Sequence, residues 1–436
     1  MRFAVAAAGA VGFMLMTAGW PGSVAAAGGS PDFGVHKAIN IAQWLTWPRY
    51  DTSRGIAWPP YKSTPRPPSL AELQDLRRAG FDTVRLPVDP APFFIFTGEK
   101  RKAVYDMLFA ALGRIREAEL KVILDVHPNS RHPVWGQNAV AAGAGNPAFE
   151  GIAGFIEDLA GRFAGDDLQW VALELLNEPR LKCKDGDQQR WQEMIRHLVG
   201  RARAGNPQLA LIVSGACVSS VDGLLSLDPS GFHDRNILYT FHFYEPFSFT
   251  HQGAQFIPWP DKYLDGLPWP AGARAIDEPT ALTNRQVDRQ SGLNAVTRET
   301  ARLGALRNLK RFYASGAGPA TIGKRFAEVK AWADRFGISA GAIFIGEFGV
   351  VRRGADTPGA LCADRLGWLR DVRLAAESVG FAWSYFSYDG PFALVISDDD
   401  RRLDPGVLAT LGLASGCPAR DETAAIGGDA ACHCTP

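Results

Sequence analysis

The chain has 436 residues, of which 46% are hydrophobic and 21% are charged, as in an ordinary globular protein. Its 46 basic and 46 acidic residues cancel. A protein that binds nucleic acid or an acidic membrane surface usually carries a basic excess or patch, so these classes are excluded and a small or uncharged partner is expected.

The first 27 residues have the pattern of a signal peptide. Arg2 supplies a positive start, residues 3–18 are mostly apolar, and three alanines follow at 25–27. A membrane anchor is the alternative, but this run is shorter than the ~20 apolar residues that a spanning helix needs. We therefore expect export and cleavage, a secreted or periplasmic mature chain, and no membrane contact after cleavage.

Eight short apolar runs then alternate with amphipathic helical patterns. The runs are rich in β-branched and aromatic residues, as strands buried on both faces are. Strands are predicted at 39–44, 84–88, 122–127, 170–177, 209–214, 237–244, 342–347 and 381–387. Helices are predicted at 70–78, 102–119, 149–163, 188–203, 321–336 and 361–378, with a shorter unit at 221–227.

Eight strands, each followed by a helix or a short remnant of one, predict a single (β/α)8 TIM barrel domain over residues 28–436. An open doubly wound sheet is the alternative. Such a sheet normally carries a glycine-rich phosphate loop after its first strand, and residues 39–47 contain none.

The connection between the sixth and seventh strands is unusually long. Its first half, residues 246–289, is rich in proline, glycine and aromatic rings. A connection this long in a compact domain is usually functional or disordered, and so many rings argue against disorder. We expect it to line the substrate cleft, with Trp259 and Trp269 as sugar platforms; a plain hydrophobic lid is the alternative.

Polar and titratable residues cluster at the carboxyl ends of the predicted strands. In a parallel barrel these ends converge on one face, where active sites lie. Glu178 and Glu347 can therefore face each other across the barrel mouth, as the two carboxyl groups of a glycoside hydrolase must. The neighbouring candidates are Arg85, Asp125, His127, Asn177, His242 and Tyr244.

These motifs together resemble glycoside hydrolase family 5, the cellulase family, over most of the chain. Their order and spacing follow the predicted strands. The motifs are FDTVRLP at 81–87, LDVH at 124–127, VALELLNEP at 171–179, HFYEP at 242–246, IGEFG at 345–349 and FAWSYF at 381–386.

The resemblance implies a retaining β-glycosidase in which Glu178 is the acid/base and Glu347 the nucleophile. It implies that Asn177 contacts the sugar 2-hydroxyl beside the cleaved bond. Arg85 and Tyr244 would orient Glu347.

Six more residues receive roles. By the same resemblance His127 and His242 bind sugar hydroxyls or support the carboxylates. Trp383 is the expected platform under the sugar at the cleavage point, and Phe386 is a second candidate. We interpret Asp125 and Glu174 as structural, with Asp125 joining neighbouring strands and Glu174 pointing into the barrel wall.

The expected activity is endo-acting hydrolysis of a β-linked polysaccharide, with β-1,4-glucan as the default. Mannan, β-1,3-glucan and a bacterial exopolysaccharide remain open, as does a carbohydrate-binding barrel without catalysis. A metal-dependent hydrolase would need a His-x-His pair, whereas Pro128 and Asn129 follow His127. We expect no metal and no cofactor, a polysaccharide or oligosaccharide as the partner, and a monomer.

Six cysteines in a chain expected to be exported predict disulfides. Cys183 and Cys217 follow neighbouring predicted strands at the same barrel face, so we expect them to pair. Cys362 and Cys417 would then bond the two cysteines of the 432–434 segment.

These tail pairs would tether residues from about 414 to 436 to the barrel, but sequence alone does not fix the connectivity. A metal site at the Cys-His-Cys end is the alternative, and its spacing is not that of a zinc module.

Overall fold

The computed structural model describes residues 33–414 except 53–54, 63–64, 130–131, 133, 185, 233 and 355–357. The predicted signal peptide and the tail beyond residue 414 lie outside the described residues, so cleavage and the tail tether stay predictions.

Ten strands are present in the described residues. They are β1 Lys37–Asn40, β2 Pro48–Tyr50, β3 Ile56–Tyr61, β4 Thr83–Val88, β5 Lys121–Val126, β6 Val171–Glu174, β7 Ala210–Ser214, β8 Ile237–Phe243, β9 Ile343–Phe348 and β10 Ala382–Tyr385. Eight of them form a closed barrel in the order β1-β10-β9-β8-β7-β6-β5-β4, with every pair parallel. The predicted barrel is confirmed, and each predicted strand overlaps one barrel strand.

The other two strands, β2 and β3, form an antiparallel hairpin after β1 that the sequence did not predict. The β3 sequence IAWPPY contains two prolines, which cannot donate to a ladder and therefore conceal an edge strand.

Helices cover the outside of the barrel and fill the long connection. The longer ones are Leu70–Ala79, Gly98–Glu117, Pro147–Ala160, Asp187–Gly205, Asp277–Asp288, Ala295–Ala314, Pro319–Arg335 and Cys362–Val379. Shorter helices are Ala91–Ile95, Gln137–Val140, Val221–Leu225, Phe247–Thr250 and Pro405–Thr410, and Ala216–Ser219 is a turn with left-handed backbone. The 3-10 turns are Gly165–Gln169, Pro229–Gly231, Asp261–Tyr263, Ala340–Ala342 and Gly390–Phe392.

The first long helix illustrates how local sequence sets these bounds. The Ser69 hydroxyl accepts from the backbone N–H of Glu72, and the Glu72 carboxylate accepts from the backbone N–H of Ser69. This reciprocal capping begins the helix. Gly80 ends it with a φ of 107°, a left-handed conformation that favours glycine.

Two hydrophobic layers result from the alternation of side chains along each strand. The larger layer lies between the barrel and the helices, where Leu86, Val122 and Trp383 are buried. A smaller cluster fills the amino-terminal half of the barrel interior and includes Ile123, Leu238 and Phe344. Within the described residues, none of the helices is long and apolar enough to cross a bilayer.

Candidate active site

The inward-facing positions at the carboxyl end of the barrel are polar rather than apolar. Strand register brings them to one level, since Asn40 pairs with Arg85, Asp125 with Glu174, and His242 with Glu347. All six residues are at most 5% exposed. Buried polar groups of this density need partners, because an unpaired one costs folding free energy.

Arg85 is the centre of this layer. Its Nε and Nη2 donate to the two oxygens of Glu174, both at 2.7 Å, and Nη2 lies 3.0 Å from Asp125 Oδ2. Nη1 donates to Asn40 Oδ1 at 2.8 Å. Burial alone would lower the pKa of Arg85, but the carboxylates of Asp125, Glu174 and Glu347 raise it well above its ordinary value. The guanidinium therefore stays charged.

This placement corrects the interpretation of Glu174. The side chain points into the barrel interior and holds Arg85 with two hydrogen bonds, instead of pointing into the wall. The predicted role of Asp125 as a link between strands agrees with its contacts to Arg85 and, at 2.8 Å, to His127. Burial raises the pKa of Asp125 to about 7, against the opposing effect of Arg85.

Glu347 ends β9 and accepts two hydrogen bonds that fix both of its oxygens. Arg85 Nη1 donates to Oε1 at 2.7 Å, and the Tyr244 hydroxyl donates to Oε2 at 2.9 Å. Burial and the neighbouring Glu347 raise the pKa of Tyr244 well above 10, so the phenol keeps the proton that it donates. The Glu347 side chain is 6% exposed, and both of its oxygens are held by these two donors.

Glu178 follows β6 and is more open, with 26% of its side chain exposed. His242 Nδ1 lies 2.8 Å from Glu178 Oε1 and 3.6 Å from Glu347 Oε2. Burial raises the pKa of Glu178 above its ordinary value, although the nearby His127 and Arg85 act in the opposite direction. Glu178 can therefore hold a proton under conditions in which an exposed carboxyl would lose it.

One carboxylate oxygen each of Glu178 and Glu347 and one ring nitrogen of His242 all lie within 4.8 Å of one another. A divalent cation could in principle be held by such a set. Glu347 already accepts from Arg85 and Tyr244, however, and the Arg85 cation lies 2.7 Å from its carboxylate, which opposes a second cation there.

Asn177 and His127 form a linked pair beside the two glutamates. Asn177 Oδ1 accepts from Arg85 at 2.9 Å, and its amide nitrogen lies 3.2 Å from His127 Nε2. Burial lowers the pKa of His127 to about 4, and it lowers the pKa of His242 to about 4 as well. Both rings are therefore neutral at neutral pH.

Trp383, the predicted sugar platform, is not at the cleft. It is 1% exposed and packs edge-on against Phe81 and Phe348, with ring centroids 6.4 and 5.8 Å away. Its neighbour Ser384 reaches Asn40 inside the barrel, so Trp383 must point outward to the helices. That prediction is wrong because Trp383 lies on the outward face of β10.

Phe386, the second candidate, lies just beyond the end of β10 and is half-buried. Its ring centroid is 6.5 Å from that of Tyr244 and 5.4 Å from that of Phe392. An aromatic face therefore adjoins the residue that bonds Glu347.

The aromatic segment 246–289 divides into a packed part and an exposed part. Trp269 is 6% exposed, and its indole N–H donates to Asp371 at 2.8 Å, so the prediction that it binds sugar is wrong. Trp259 is 45% exposed and borders the helix Ala295–Ala314 at Gly304. Phe256 is 59% exposed, and its centroid lies 6.2 Å from that of Phe392.

The predicted disulfide between Cys183 and Cys217 is present, with a Cα–Cα distance of 5.1 Å. Cys362 is also disulfide-bonded. The expected tail partners at 417, 432 and 434 lie outside the described residues, so the connectivity of the tail stays a prediction.

Three residues of the site were missed in the sequence. Asn40 donates to the Gly346 carbonyl and accepts from Arg85. The sequence feature that could have identified it is a polar residue at an inward position of the first strand. Gly346 leaves room for the site, since a Cβ there would lie 3.0 Å from His242 Nε2. Ser219 accepts from the Glu178 backbone N–H at 3.2 Å, a contact between loops that no local pattern indicates.

Comparison with solved structures places this fold among known barrels. The cellulose synthase subunit Z (CcsZ) of Clostridioides difficile superposes with a TM-score of 0.61 at 23% identity, covering 86% of this chain and 99% of that one. Cel5A of Thermotoga maritima, solved with cellobiose, superposes with a TM-score of 0.58 at 16% identity over 86% of this chain and 97% of that one.

Relatives and a family profile extend the comparison to sequence. Endoglucanase 3 of Fibrobacter succinogenes is 24% identical over 79% of this chain and 49% of its own length. Cellodextrinase A of Ruminococcus flavefaciens is 26% identical over 52% of this chain and 63% of its own length. The matches thus span about half to two thirds of these relatives. Residues 42–390 match the profile of the family described as Cellulase (glycosyl hydrolase family 5), and the chain therefore belongs to that family.

Proposed function

We propose that this protein hydrolyses a β-linked polysaccharide with retention of configuration, using Glu178 as acid/base and Glu347 as nucleophile. The observation that carries the proposal is the short gap between the two glutamates, whose facing oxygens lie within 4.8 Å. Retaining glycosidases hold their carboxyl groups about 5–5.5 Å apart, whereas inverting enzymes leave about 6.5–9.5 Å for a water molecule.

Glu347 suits the nucleophile because its surroundings stabilise the carboxylate and aim it. Arg85 and Tyr244 each hold one of its oxygens. In the first step Glu347 attacks the anomeric carbon and forms a glycosyl ester as the leaving oxygen departs. The hydrogen bonds from Arg85 and Tyr244 then stabilise the carboxylate again when it is released.

Glu178 suits the acid/base because burial raises its pKa while its side chain remains open to the cleft. It gives its proton to the departing oxygen in the first step. In the second step the Glu178 carboxylate takes a proton from the water molecule that attacks the glycosyl ester, and the starting state returns. His242, 2.8 Å from Glu178, is neutral and can exchange hydrogen bonds with either form.

Asn177 and His127 are proposed to bind sugar hydroxyls beside the cleaved bond. Both lie next to Arg85 and Glu178, and both carry hydrogen-bonding groups without a net charge. Phe386 replaces Trp383 in our proposal as the ring under the sugar, because it is the half-buried ring beside Tyr244.

The proposed substrate is β-1,4-glucan. The relatives carry the names endoglucanase and cellodextrinase, and Thermotoga maritima Cel5A has been solved with cellobiose and with mannotriose. Mannan therefore stays the first alternative, followed by β-1,3-glucan and exopolysaccharide. We further propose that the mature chain acts outside the cytoplasm as a monomer, since the Cys183–Cys217 disulfide fits an oxidising compartment.

The two exposed rings Phe256 and Trp259 of the 246–289 segment are proposed to bind the polymer away from the cleavage point. Stacking on one ring is worth about 0.5–1.5 kcal/mol, so Phe256→Ala and Trp259→Ala are each expected to weaken long cello-oligosaccharides about 2- to 12-fold. A short chromogenic cellobioside should be unaffected, because remote binding energy helps only a substrate that reaches it. Equal loss on both substrates would make the rings structural.

The proposal is tested with Glu178→Gln and Glu347→Gln, with Glu328→Gln on an outer helix as the matched control. Both site variants should keep the wild-type melting temperature and lose on the order of 10³-fold or more in kcat on soluble glucan. The control should keep full activity. Activity near wild type in either site variant would end the assignment, and inactive wild-type protein that still binds glucan would indicate a non-catalytic barrel.

A further inference from the structure

The turn that follows β7 has an unusual backbone. Cys217, Val218 and Ser219 have φ values of 59°, 58° and 54°, so three successive residues with side chains are left-handed. Left-handed backbone is costly for an L-residue with a Cβ, and single residues rather than runs normally adopt it. Such strain persists where the surrounding structure enforces it, and it is concentrated at functional sites.

Four contacts link this turn to the segment that carries Glu178. Ser219 is fully buried, and the turn packs closely on the next helix, since a Cβ on Gly215 would lie 2.0 Å from the Gly223 backbone. The four links to residues 178–183 are the Cys217–Cys183 disulfide, Cys217 N–H to Leu181 O at 3.0 Å, Val218 N–H to Pro179 O at 3.2 Å, and Glu178 N–H to Ser219 Oγ at 3.2 Å.

Glu178 is itself left-handed, with a φ of 41°. Its backbone direction sets where the carboxyl group points, and its N–H is held by the Ser219 hydroxyl. The strained turn and the strained glutamate therefore support each other through one hydrogen bond, and the disulfide prevents the two loops from separating.

We propose that the left-handed turn 217–219 positions the Glu178 carboxyl, with Ser219 as the positioning residue and the Cys183–Cys217 disulfide as its anchor. Neither would touch the substrate. This inference rests on the proposed role of Glu178 as acid/base. It assigns to the turn an effect on proton donation, beyond the effect on stability that any disulfide has.

The test compares two aryl β-cellobiosides in Ser219→Ala. Phenyl cellobioside has a poor leaving group that needs the proton of Glu178, whereas 2,4-dinitrophenyl cellobioside leaves without one. We expect kcat/KM to fall five- to tenfold on the phenyl substrate, about the effect of one lost hydrogen bond, and less than twofold on the dinitrophenyl substrate.

Ser220→Ala is the matched control. The neighbouring Ser220 hydroxyl accepts from the Gly223 N–H at the same 3.2 Å, whereas the hydrogen bond to the Glu178 backbone is made by Ser219. This variant should lower the melting temperature and leave the ratio between the two substrates unchanged. An equal loss on both substrates in Ser219→Ala, like that of any destabilised enzyme, would overturn the proposal.

Two further variants separate the hydroxyl and the anchor from backbone strain. Ser219→Gly relieves the left-handed strain but still lacks the hydroxyl, so it should lose activity on the phenyl substrate as Ser219→Ala does. The double variant Cys183→Ser/Cys217→Ser should show the same dependence on leaving group with a larger loss. Full activity of either on the phenyl substrate would contradict the inference.

Glu178→Gln distinguishes this inference from the proposed function. It should lose activity on the phenyl substrate far more than on the dinitrophenyl substrate. If Glu178→Gln shows no such dependence, the acid/base assignment fails. If Glu178→Gln shows the dependence and Ser219→Ala does not, the assignment stands and the positioning role of the turn fails.

Discussion

The two ends of the barrel interior differ sharply, although they are built from the same strands. At the amino-terminal end the inward residues are apolar, as in Ile123, Leu238 and Phe344. At the carboxyl end, two positions further along β5, Ile123 gives way to the buried Asp125. One end thus gains stability from burial, whereas the other buries charge that must be compensated.

At the carboxyl end, one buried cation lies among several buried carboxyl groups, so the charges are not balanced one for one. Arg85 is the cation at the centre of three buried carboxyl groups, those of Asp125, Glu174 and Glu347. Burial, with a smaller effect of the nearby Glu178, raises the pKa of Asp125 to about 7, and burial raises the pKa of Glu178 as well. In this layer a carboxyl group with a raised pKa thus lies beside Glu347, whose two oxygens accept hydrogen bonds from Arg85 and Tyr244.

Replacing Arg85 should have the largest effect on both the stability and the activity of the carboxyl end. Arg85→Met leaves three buried acidic groups without their cation, so we expect a loss of about 3–5 kcal/mol in the free energy of unfolding. We also expect a fall in kcat/KM on the order of 10³-fold on soluble glucan, because Glu347 loses its main donor. Urea unfolding and initial rates measure both effects.

Arg325→Met is the control for that change. Arg325 bonds Asp222, Glu245 and Glu328 on the surface with 21% of its side chain exposed. Surface ion pairs contribute about 0–1 kcal/mol each, so this variant should remain stable and active. Equal effects of the two substitutions would show that burial does not distinguish the two arginines.

Truncation at the opposite end should cost stability without costing chemistry. Leu238→Ala removes a fully buried side chain from the amino-terminal cluster, and we expect a loss of about 2–5 kcal/mol. The kcat of the folded enzyme should stay within twofold of wild type at a temperature where both are folded. A hundredfold loss of kcat would mean that the two ends are not separable.

Sequence periodicity predicted the eight barrel strands because each is a short apolar run buried on both faces. The positions of Glu178 and Glu347 followed, since strand order alone brings strand ends to one face. Which side chains of a strand face the barrel interior and which face the helices was harder to predict. Trp383 lies on the outer face of β10, one residue from the inward Ser384, and an aromatic motif alone does not reveal which face it occupies.

The Cys183–Cys217 disulfide was the one contact between loops that the sequence predicted, and the hydrogen bonds between loops could not be predicted. Ser219 and Glu178 are 41 residues apart in sequence. Their contact depends on a left-handed backbone, which residues other than glycine rarely adopt. The β2–β3 hairpin and the packing of Trp269 against Asp371 likewise depend on tertiary structure, which overrides local preference.

Burial of His242 at the carboxyl end of the barrel interior should make the free energy of unfolding depend on pH. Burial lowers the pKa of His242 from its ordinary 6.5 to about 4. The unfolded chain therefore binds a proton that the folded chain does not, and the stability contributed by the neutral ring is lost as pH falls from 6.5 towards 4. At about 1.4 kcal/mol per pKa unit, the full loss is about 3 kcal/mol.

The measurement compares the free energy of unfolding of wild type and His242→Asn between pH 4 and pH 7. The difference between the two should shrink as pH falls, because only the wild type carries the cost of the neutral ring. Leu238→Ala, which removes no titratable group, is the control, and its difference from wild type should stay constant over this pH range. A difference that grows towards acid pH would contradict the shift.

Substitutions of Phe386 and Trp383 should distinguish a ring that binds sugar from a ring that packs in the core. Their effect on activity should be the smallest of those predicted. Phe386→Ala is expected to lower kcat/KM on a cellobioside about 2- to 12-fold, as the loss of one stacked ring predicts. Trp383→Phe should instead lower the melting temperature and leave kcat/KM within twofold. The reverse pattern would return the platform to Trp383.

The proposed mechanism depends most on Glu347 being the residue that forms a covalent bond with the sugar. Incubation with 2,4-dinitrophenyl 2-deoxy-2-fluoro-β-cellobioside should release one dinitrophenolate per protein and raise the mass by one fluorocellobiosyl group, because the fluorine slows hydrolysis of the glycosyl ester. Peptide mapping should place the added mass on Glu347. A label on another residue, or a protein that turns over natural glucan to an α-configured first product without being labelled, would contradict the mechanism.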